Sequence, residues 1–159
     1  MNFIFDTSAT VALIETCRLE TSLLEFSENH RLFVSQQVKE EYLAGERAER
    51  NILVFERVFE SLVVSLDQRL LPYFHFDESC GEISVISHAI RNPDCCCVID
   101  EEYARRICEL FDVALTGTVG ILLKLRDAGL VSRRELRTVR KRLQNSRFFL
   151  SKRLLKQIR

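Results

Sequence analysis

The chain has 159 residues, of which 47% are hydrophobic and 29% are charged, and its formal net charge at pH 7 is zero. That length and composition fit one globular domain with its own core and exclude a chain that is disordered throughout. No apolar run approaches the roughly 18 residues that a membrane span needs, and the N-terminal segment carries no basic cluster. We therefore expect a cytoplasmic protein without a membrane helix or a signal peptide.

Predicted strands and helices alternate along the whole chain. Short apolar runs predict strands at residues 2–5, 31–34, 62–66, 95–99 and 112–115. Apolar residues at helical spacing, bounded by capping residues and glycines, predict helices at residues 20–28, 35–44, 46–61, 82–91, 101–110 and 118–128. A short helix follows the first strand, with Ser8 as its predicted cap, and Pro72 lies in a predicted irregular segment. Two basic helical segments complete the chain.

This alternation is typical of crossover units, in which parallel strands form one sheet with helices packed on its faces. No linker, internal repeat or low-complexity stretch divides the chain. We predict an α/β fold with a single domain over residues 1–159, a parallel β-sheet flanked by helices on both faces, and a basic helical C-terminal segment at residues 132–159.

The charges are distributed unevenly along the chain. From Arg133 onward there are 11 Lys/Arg and one acid, which leaves 12 Lys/Arg and 22 Asp/Glu in residues 1–132 out of 23 of each. An acidic body with a basic tail indicates cation binding by the body and contact of the tail with a polyanion. The alternative is a solvated helix folded on the acidic body, because the tail also carries Leu136, Val139 and Leu143.

Six cysteines occur without any Cys-x-x-Cys pair, namely Cys17, Cys80, Cys95, Cys96, Cys97 and Cys108. Three of them are adjacent, and the histidines do not stand at ligand spacing from them, so the pattern does not favour a tetrahedral zinc site. We interpret the cysteines as small buried side chains in a reducing compartment, with a zinc site or a disulfide as the alternative.

Acidic and hydroxyl side chains follow three of the predicted strands. Asp6 follows the first strand, Asp100 follows the fourth, and Thr116 and Thr118 follow the fifth. Because ligands of open parallel sheets bind beyond the carboxyl ends of the strands, these groups are candidates for a shared site. The alternative for both aspartates is capping of the helix that comes next.

Two glutamates stand on helix faces that are otherwise apolar. Glu41 shares a face with Val38 and Tyr42, and Glu82 shares one with Val85. A carboxylate on a buried face is costly unless something neutralises it. Glu41 could instead pair with an arginine, and Glu82 could stabilise a helix N-terminus. Four carboxylates of this kind suit Mg²⁺ or Mn²⁺, and such sites hydrolyse phosphodiesters through metal-activated water.

Five short motifs come in a fixed order: Asp6-Thr7-Ser8, Val38-x-x-Glu41, Gly81-Glu82, Asp100-Glu101-x-x-Ala104-Arg105 and Thr116-Gly117-Thr118-Val119-Gly120. This series resembles the PIN domain (PilT N-terminus) family, particularly a prokaryotic branch similar to VapC-like toxin ribonucleases, over essentially the whole chain. The resemblance implies a PIN-like, Rossmannoid fold. A receiver-like phosphoacceptor domain also has acids at its strand ends. Such a domain would have a lysine just after a late strand, and in this chain Thr116-Gly117-Thr118 stands there instead.

The resemblance also implies roles for particular residues. Asp6, Glu41, Glu82 and Asp100 match the catalytic, metal-binding quartet that holds Mg²⁺ or Mn²⁺. Thr118 matches a hydroxyl that helps to orient the metal or its water, and Ser8 and Thr116 are further candidates for this role. Arg105 matches an arginine of the family, for which phosphate contact is one interpretation. The chain departs from the family pattern at two places. Glu101 replaces the family's usual aspartate, so we expect no metal role for it. His88 lies in the helix after Glu82, where the family sequences are usually rich in alanine, and we expect this histidine to be structural.

The activity that the resemblance implies is endonucleolytic hydrolysis of single-stranded RNA. It also implies that the protein is the toxin of a type II toxin–antitoxin pair, with an antitoxin protein and a second copy of the chain as its partners. Phosphate contacts are expected from basic tail residues, namely Arg137, Arg140, Lys141 and Arg147. The alternative function is a catalytically weak or inactive PIN-like module that binds nucleic acid or protein.

Overall fold

The computed structural model describes residues 1–74, 80–146 and 152–158. Five parallel strands in the described residues form one sheet in the order β3-β2-β1-β4-β5. Their bounds are β1 Asn2–Phe5, β2 Arg31–Ser35, β3 Glu60–Leu62, β4 Cys95–Val98 and β5 Leu115–Thr116. The predicted α/β architecture with a parallel sheet is confirmed.

Helices connect successive strands and complete the chain. They are α1 Thr7–Val11, a π-helix at Ala12–Thr16, α2 Glu20–Ser27, α3 Gln36–Ala44, α4 Glu49–Val58, a 3₁₀-helix at Gln68–Tyr73, α5 Cys80–Arg91, α6 Glu102–Leu110, α7 Thr118–Asp127, α8 Arg133–Gln144 and α9 Lys152–Gln157. Within the described part of the chain, every helix is too short or too polar to cross a lipid bilayer.

The central strand β1 shows that both faces of the sheet are covered. Phe3, Ile4 and Phe5 are all fully buried, although successive side chains of a strand point to opposite faces. The register pairs Phe5 with Val34 of β2 and with Val98 of β4. Because these strands run parallel and end level, the residues that follow them emerge at the same edge of the sheet.

Four local predictions differ from the structure. The predicted helix at 46–61 is shorter, because Phe59 adopts an extended conformation and packs edge-on against Phe5 with ring centroids 5.0 Å apart. The predicted strand at 62–66 lies earlier, as β3. The predicted strand at 112–115 is also displaced, because Asp112 has a left-handed backbone (φ 54°) in the turn that ends α6, where the Val113 N–H donates to the Cys108 carbonyl at 2.9 Å. Pro72 lies inside the 3₁₀-helix, which Asp67 caps.

The basic C-terminal segment begins as a helix packed on the body of the protein. Ser132 and Glu135 form a capping box at the start of α8. Its apolar stripe of Leu136, Val139 and Leu143 is buried, while Arg137 on the same helix is exposed. The alternative of a helix folded on the acidic body is therefore what the structure shows for α8.

Substitution of Leu136 by alanine tests this packing. Leu136 is fully buried, so Leu136→Ala should lower the free energy of unfolding by about 2–5 kcal/mol. The neighbouring exposed Arg137→Ala should change it by less than about 0.5 kcal/mol. Urea unfolding followed by circular dichroism measures both, and equal small effects would show that α8 is not docked.

Candidate functional site

Asp6 leaves the end of β1 and is almost completely buried, with 2% of its surface exposed. Its Oδ1 accepts a hydrogen bond of 2.7 Å from the Ala9 backbone N–H, and its Oδ2 accepts one of 3.0 Å from the Ser8 hydroxyl. Asp6, rather than the predicted Ser8, is therefore the N-cap of α1. The capping alternative for Asp6 is confirmed, and Ser8 contributes by orienting that carboxylate.

The environment of Asp6 opposes its ionisation. The pKa of the Asp6 carboxyl is raised to about 8, mainly by burial and also by the negative charges of Asp100 and Glu82. The bonds from Ala9 and Ser8 lower the pKa but do not balance these effects. Within the described part of the chain no ion pair neutralises Asp6, which is unusual for a carboxylate in a core.

Asp100 is held by the start of α7. Its Oδ1 accepts 2.9 Å from the Thr118 backbone N–H, and its Oδ2 accepts 2.6 Å from the Thr118 hydroxyl. The capping alternative for Asp100 is wrong, because Glu101 caps α6 by accepting 2.6 Å from the Ala104 N–H. Burial raises the pKa of Asp100, while the Thr118 bonds and the charge of Arg105 lower it. Glu101 therefore has a structural role of its own, which explains why a glutamate is tolerated there.

Glu41 is positioned between the starts of two other elements. The Thr7 hydroxyl donates to its Oε2, and the Gly81 backbone N–H donates to its Oε1 at 2.9 Å. As predicted, Glu41 is half-buried while its neighbour Glu40 is exposed. No ion pair among the described residues involves Glu41, so the alternative of an arginine partner is not what the structure shows. Sequence reasoning missed Thr7, although it stands within the first motif.

Glu82 lies in the first turn of α5, where a helix N-terminus favours a negative charge. Burial raises the pKa of the Glu82 carboxyl, and the charges of Glu41 and Glu101 raise it further. Glu82 in turn raises the pKa of Asp6. Glu82 therefore lies at a helix N-terminus, as the alternative proposed, and it also lies close to the other acids.

The four predicted acids therefore converge on the carboxyl edge of the sheet. Thr7, next to Asp6, and Gly81, next to Glu82, both bind Glu41, and the charge of Asp100 acts on Asp6. Across residues 1–74, 80–146 and 152–158, no three Asp, Glu, His or Cys side chains are arranged to hold one ion together as they stand. The structure brings the acids into one neighbourhood and holds at least three of them by bonds within the protein.

Two motif glycines are required by close approach to these acids. A Cβ on Gly81 would lie 2.6 Å from Glu41 Oε2, and a Cβ on Gly117 would lie 2.5 Å from Asp100 Oδ1. Real Cβ contacts are not that short, so any side chain at either position would displace a carboxylate. The glycines of the Gly-Glu and Thr-Gly-Thr motifs thus keep the acids in place.

Arg105 and Thr116 support the same edge. The Arg105 Nη1 donates to the carbonyl of Ile99 at 2.6 Å and to that of Thr116 at 3.0 Å, which ties the ends of β4 and β5 together. Thr116 is the last residue of β5 rather than a residue after it, and its hydroxyl lies against the backbone of Gly120. Both residues position the strand ends that carry Asp100.

No hydrogen bond or ion pair in the described ranges joins the remaining predicted residues to the four acids. Of the tail cations, Arg137 and Lys141 are exposed and Arg140 is half-buried on α8, while Arg147 lies outside the described residues. His88 is half-buried on α5, with its ring 5.9 Å from that of Phe33, as expected for a structural histidine. The cysteines whose side chains are described are free thiols, four of them buried. Cys80 falls outside that set.

The comparison with protein families decides the assignment. The family model DUF3368, a PIN domain, matches residues 2–159. The chain belongs to the PIN-domain family. No curated protein matches it significantly. PIN domains are generally nucleases that use divalent metal ions, so membership supports a nuclease role for this chain.

The acidic edge of this PIN domain fits a divalent cation in its chemistry. Its donors are carboxylate oxygens, which Mg²⁺ and Mn²⁺ prefer. No ion pair among the described residues involves the four acids. The pKa values of Asp6, Glu82 and Asp100 are raised mainly by burial, and the charge of Arg105 lowers that of Asp100 without offsetting the rise. A bound cation would supply the missing positive charge.

Substitution of Gly81 by alanine tests whether the placement of Glu41 matters. The new Cβ should push the Glu41 carboxylate away without unfolding α5, since alanine favours helices. Nuclease activity should fall by roughly 10²-fold, as expected for a misplacement of about 1 Å. In the matched variant Gly45→Ala, the Cβ meets only the flexible Arg47 side chain, and activity should persist. Unchanged activity in Gly81→Ala would remove Glu41 from the site.

The ionisation of Asp6 predicts how stability depends on pH when a chelator removes metal. Between the ordinary carboxyl pKa of 3.8 and the folded value of about 8, the folded state binds more protons than the unfolded state. Stability should therefore be fully present below pH 4 and fall as pH rises towards 8, by at most about 1.4 kcal/mol per pH unit for this group.

Asp6→Asn provides the matching variant, because asparagine caps helices as well as aspartate does. In EDTA at pH 8 it should melt at a higher temperature than the wild type and show a weaker dependence on pH. Adding Mn²⁺ should then stabilise the wild type more than the variant. Thermal melts of both proteins between pH 5 and pH 8 make the comparison. Identical pH profiles would show that Asp6 ionises freely.

Proposed function

We propose that this PIN domain is a Mg²⁺- or Mn²⁺-dependent endoribonuclease that hydrolyses phosphodiester bonds of single-stranded RNA. The observation that carries the proposal is the gathering of Asp6, Glu41, Glu82 and Asp100 at one sheet edge. There the charges of Asp100 and Glu82 raise the pKa of Asp6, the charge of Glu41 raises that of Glu82, and no ion pair among the described residues involves any of the four. The resemblance to single-strand-specific ribonucleases supports RNA as the substrate.

In this proposal the four acids bind the cation, and the rest of the site holds them ready. When bound, a divalent cation activates water and neutralises charge on the scissile phosphate. Thr118 fixes both oxygens of Asp100, and Thr7 with Gly81 fixes both oxygens of Glu41. Because these contacts hold the carboxylates before substrate arrives, little reorganisation is needed during the reaction.

Asp6 couples binding of the cation to release of a proton. With its pKa raised to about 8, the carboxyl is largely protonated at neutral pH in the metal-free protein. A divalent cation held here would need Asp6 in its carboxylate form, so Asp6 would give up its proton when a cation is bound. The hydrogen bonds from Ala9 and Ser8 then stabilise that carboxylate.

We further propose that the protein acts in the cytoplasm as the toxin of a type II toxin–antitoxin pair, with an antitoxin protein and a second copy of the chain as partners. The resemblance of its motifs to VapC-like toxins supports this role. Positive charge on Arg137, Arg140 and Lys141 would attract the RNA. A short neighbouring reading frame that encodes a DNA-binding protein would support the pairing, and an isolated gene would contradict it.

A second candidate function is a PIN module that binds nucleic acid or protein without cleaving it. The observation in its favour is that no three potential ligands among the described residues share one position as they stand. Hydrogen bonds already occupy both oxygens of Glu41 and of Asp100. A binding module would show neither RNA cleavage nor heat on titration with Mn²⁺.

Adjacent glutamates on α3 offer a matched test of the nuclease. Glu41→Gln should reduce metal-dependent RNA cleavage by more than the roughly 10–100-fold typical of a residue outside the metal's ligands. Glu40→Gln removes the same charge from an exposed position, where Glu40 accepts a hydrogen bond from Gln36, and cleavage should persist. Asp6→Asn should abolish cleavage with the fold intact.

Cleavage of mixed single-stranded RNAs is measured with Mg²⁺, with Mn²⁺ and with EDTA. Activity that survives EDTA would contradict metal dependence, and full activity in Glu41→Gln would contradict the assigned site. Loss in both glutamate variants would indicate that the charge of α3, rather than the Glu41 carboxylate, is what matters.

A further inference from the structure

The segment that follows α1 has two uncommon backbone features. The helix continues as the π-helix Ala12–Thr16, in which the Cys17 N–H donates to the Ala12 carbonyl at 2.8 Å. Arg18 then adopts a left-handed conformation with φ 57°. A π-helix is rare, and a left-handed residue other than glycine costs roughly 1 kcal/mol or more, so both occur mostly where a function maintains them.

This backbone places Arg18 at a cleft between the π-helix and α8. The cleft has a volume of about 450 Å³ and opens to solvent. Arg18 and Thr16 line one wall. The wall formed by α8 carries two further cations and two polar side chains, namely Lys141, Arg142, Thr138 and Asn145.

The cleft is positively charged although the whole chain is neutral. Among its lining residues the only acid is Glu15, whose Oε1 lies 3.2 Å from the Nε of Arg47. No ion pair in the described part of the chain involves Arg18, Lys141 or Arg142. Three cations and one neutralised acid make this cleft suitable for anions, although the charged residues of the body are mostly acidic.

The cleft also flanks the acidic site. Arg142 fastens α8 to the π-helix by donating 2.8 Å from Nη1 to the Cys17 carbonyl. The pKa of the Cys17 thiol is raised to about 12, mainly by burial; the charge of Arg142 lowers it and that of Asp100 raises it, so both charges lie near this thiol. Along the chain, the helix that Asp6 caps runs on into the π-helix and reaches Thr16 after roughly 15 Å.

We propose that Arg18, Lys141 and Arg142 bind consecutive backbone phosphates of single-stranded RNA and lead the strand to the acidic edge. This inference rests on the proposed function, since it names the path of the same substrate. The arginines present forked donors suited to phosphate oxygens, and Lys141 adds a mobile point charge. RNA binding is thereby assigned to Lys141 and Arg142 on one side of α8 and to Arg18, which lies outside the basic tail.

The test uses the full chain and a fluorescein-labelled oligouridylate of about ten nucleotides, a length within the usual range of single-strand sites. Binding is measured in EDTA over a range of salt concentrations, so no cleavage occurs. Arg18→Gln and Lys141→Gln should each weaken binding roughly three- to fivefold and should each reduce the slope of log K against log salt by about 0.7. Arg133→Gln removes the same charge from the start of α8, outside the cleft, and should have neither effect.

Cleavage assays separate failure of the cleft from failure of the nuclease. With metal present, both cleft variants should raise KM for the oligonucleotide by a larger factor than they lower kcat, and their effect should be smaller on a dinucleotide than on the oligonucleotide. Unchanged affinity and salt slope in an actively cleaving protein would overturn the cleft alone. Weakened binding in a protein that never cleaves would uphold the cleft and overturn the nuclease. Equal losses in Arg133→Gln would overturn the cleft and favour diffuse attraction by α8.

Because Lys141 is exposed on a helix, Lys141→Gln leaves packing unchanged and keeps the test valid if Arg18→Gln disturbs the left-handed corner. Thermal melts of each variant measure that disturbance directly. A loss of RNA affinity confined to Arg18→Gln and accompanied by a lower melting temperature would overturn the cleft assignment.

Discussion

The repulsion among carboxylates at the carboxyl edge of the sheet is the constraint on which the rest of the site depends. Parallel strands that end level force the residues after β1 and β4 to the same edge, and there they are Asp6 and Asp100. Burial then raises the pKa of both groups, and the charges of Asp100 and Glu82 contribute to the rise at Asp6. A fold gains nothing from such an arrangement unless a positive charge joins it, and a divalent cation is the species that this family uses.

The surrounding structure makes this unfavourable arrangement possible. Backbone N–H groups at three helix starts bind the carboxylates of Asp6, Asp100 and Glu41. Glycines allow those backbones to approach, and a Cβ at Gly81 or Gly117 would lie within 2.6 Å of a carboxylate oxygen. Stability and function are thus opposed at the same atoms, because the bonds that hold the acids also keep uncompensated charge inside the protein.

Much of the fold and of the acidic site could be predicted from the sequence, because apolar runs ending in aspartate fix both a strand and the position of its last side chain. The errors at residues 62–66 and 112–115 arise where tertiary contacts and a left-handed residue set the boundaries. The sequence offered both Asp6 and Ser8 as caps of α1 and did not decide between them, since both side chains suit that position. The role of Arg18 could not be predicted, because an arginine in the sequence does not indicate that its backbone is left-handed.

The central claim is that Asp6, Glu41, Glu82 and Asp100 together hold a divalent cation. Crystals of the wild-type chain soaked in Mn²⁺ and measured for anomalous scattering would locate the ion directly. The account predicts an anomalous peak at the carboxyl edge of β1 and β4, bounded by these carboxylates and absent from Glu41→Gln crystals. A fully occupied Mn²⁺ elsewhere, with that edge holding only water, would contradict it.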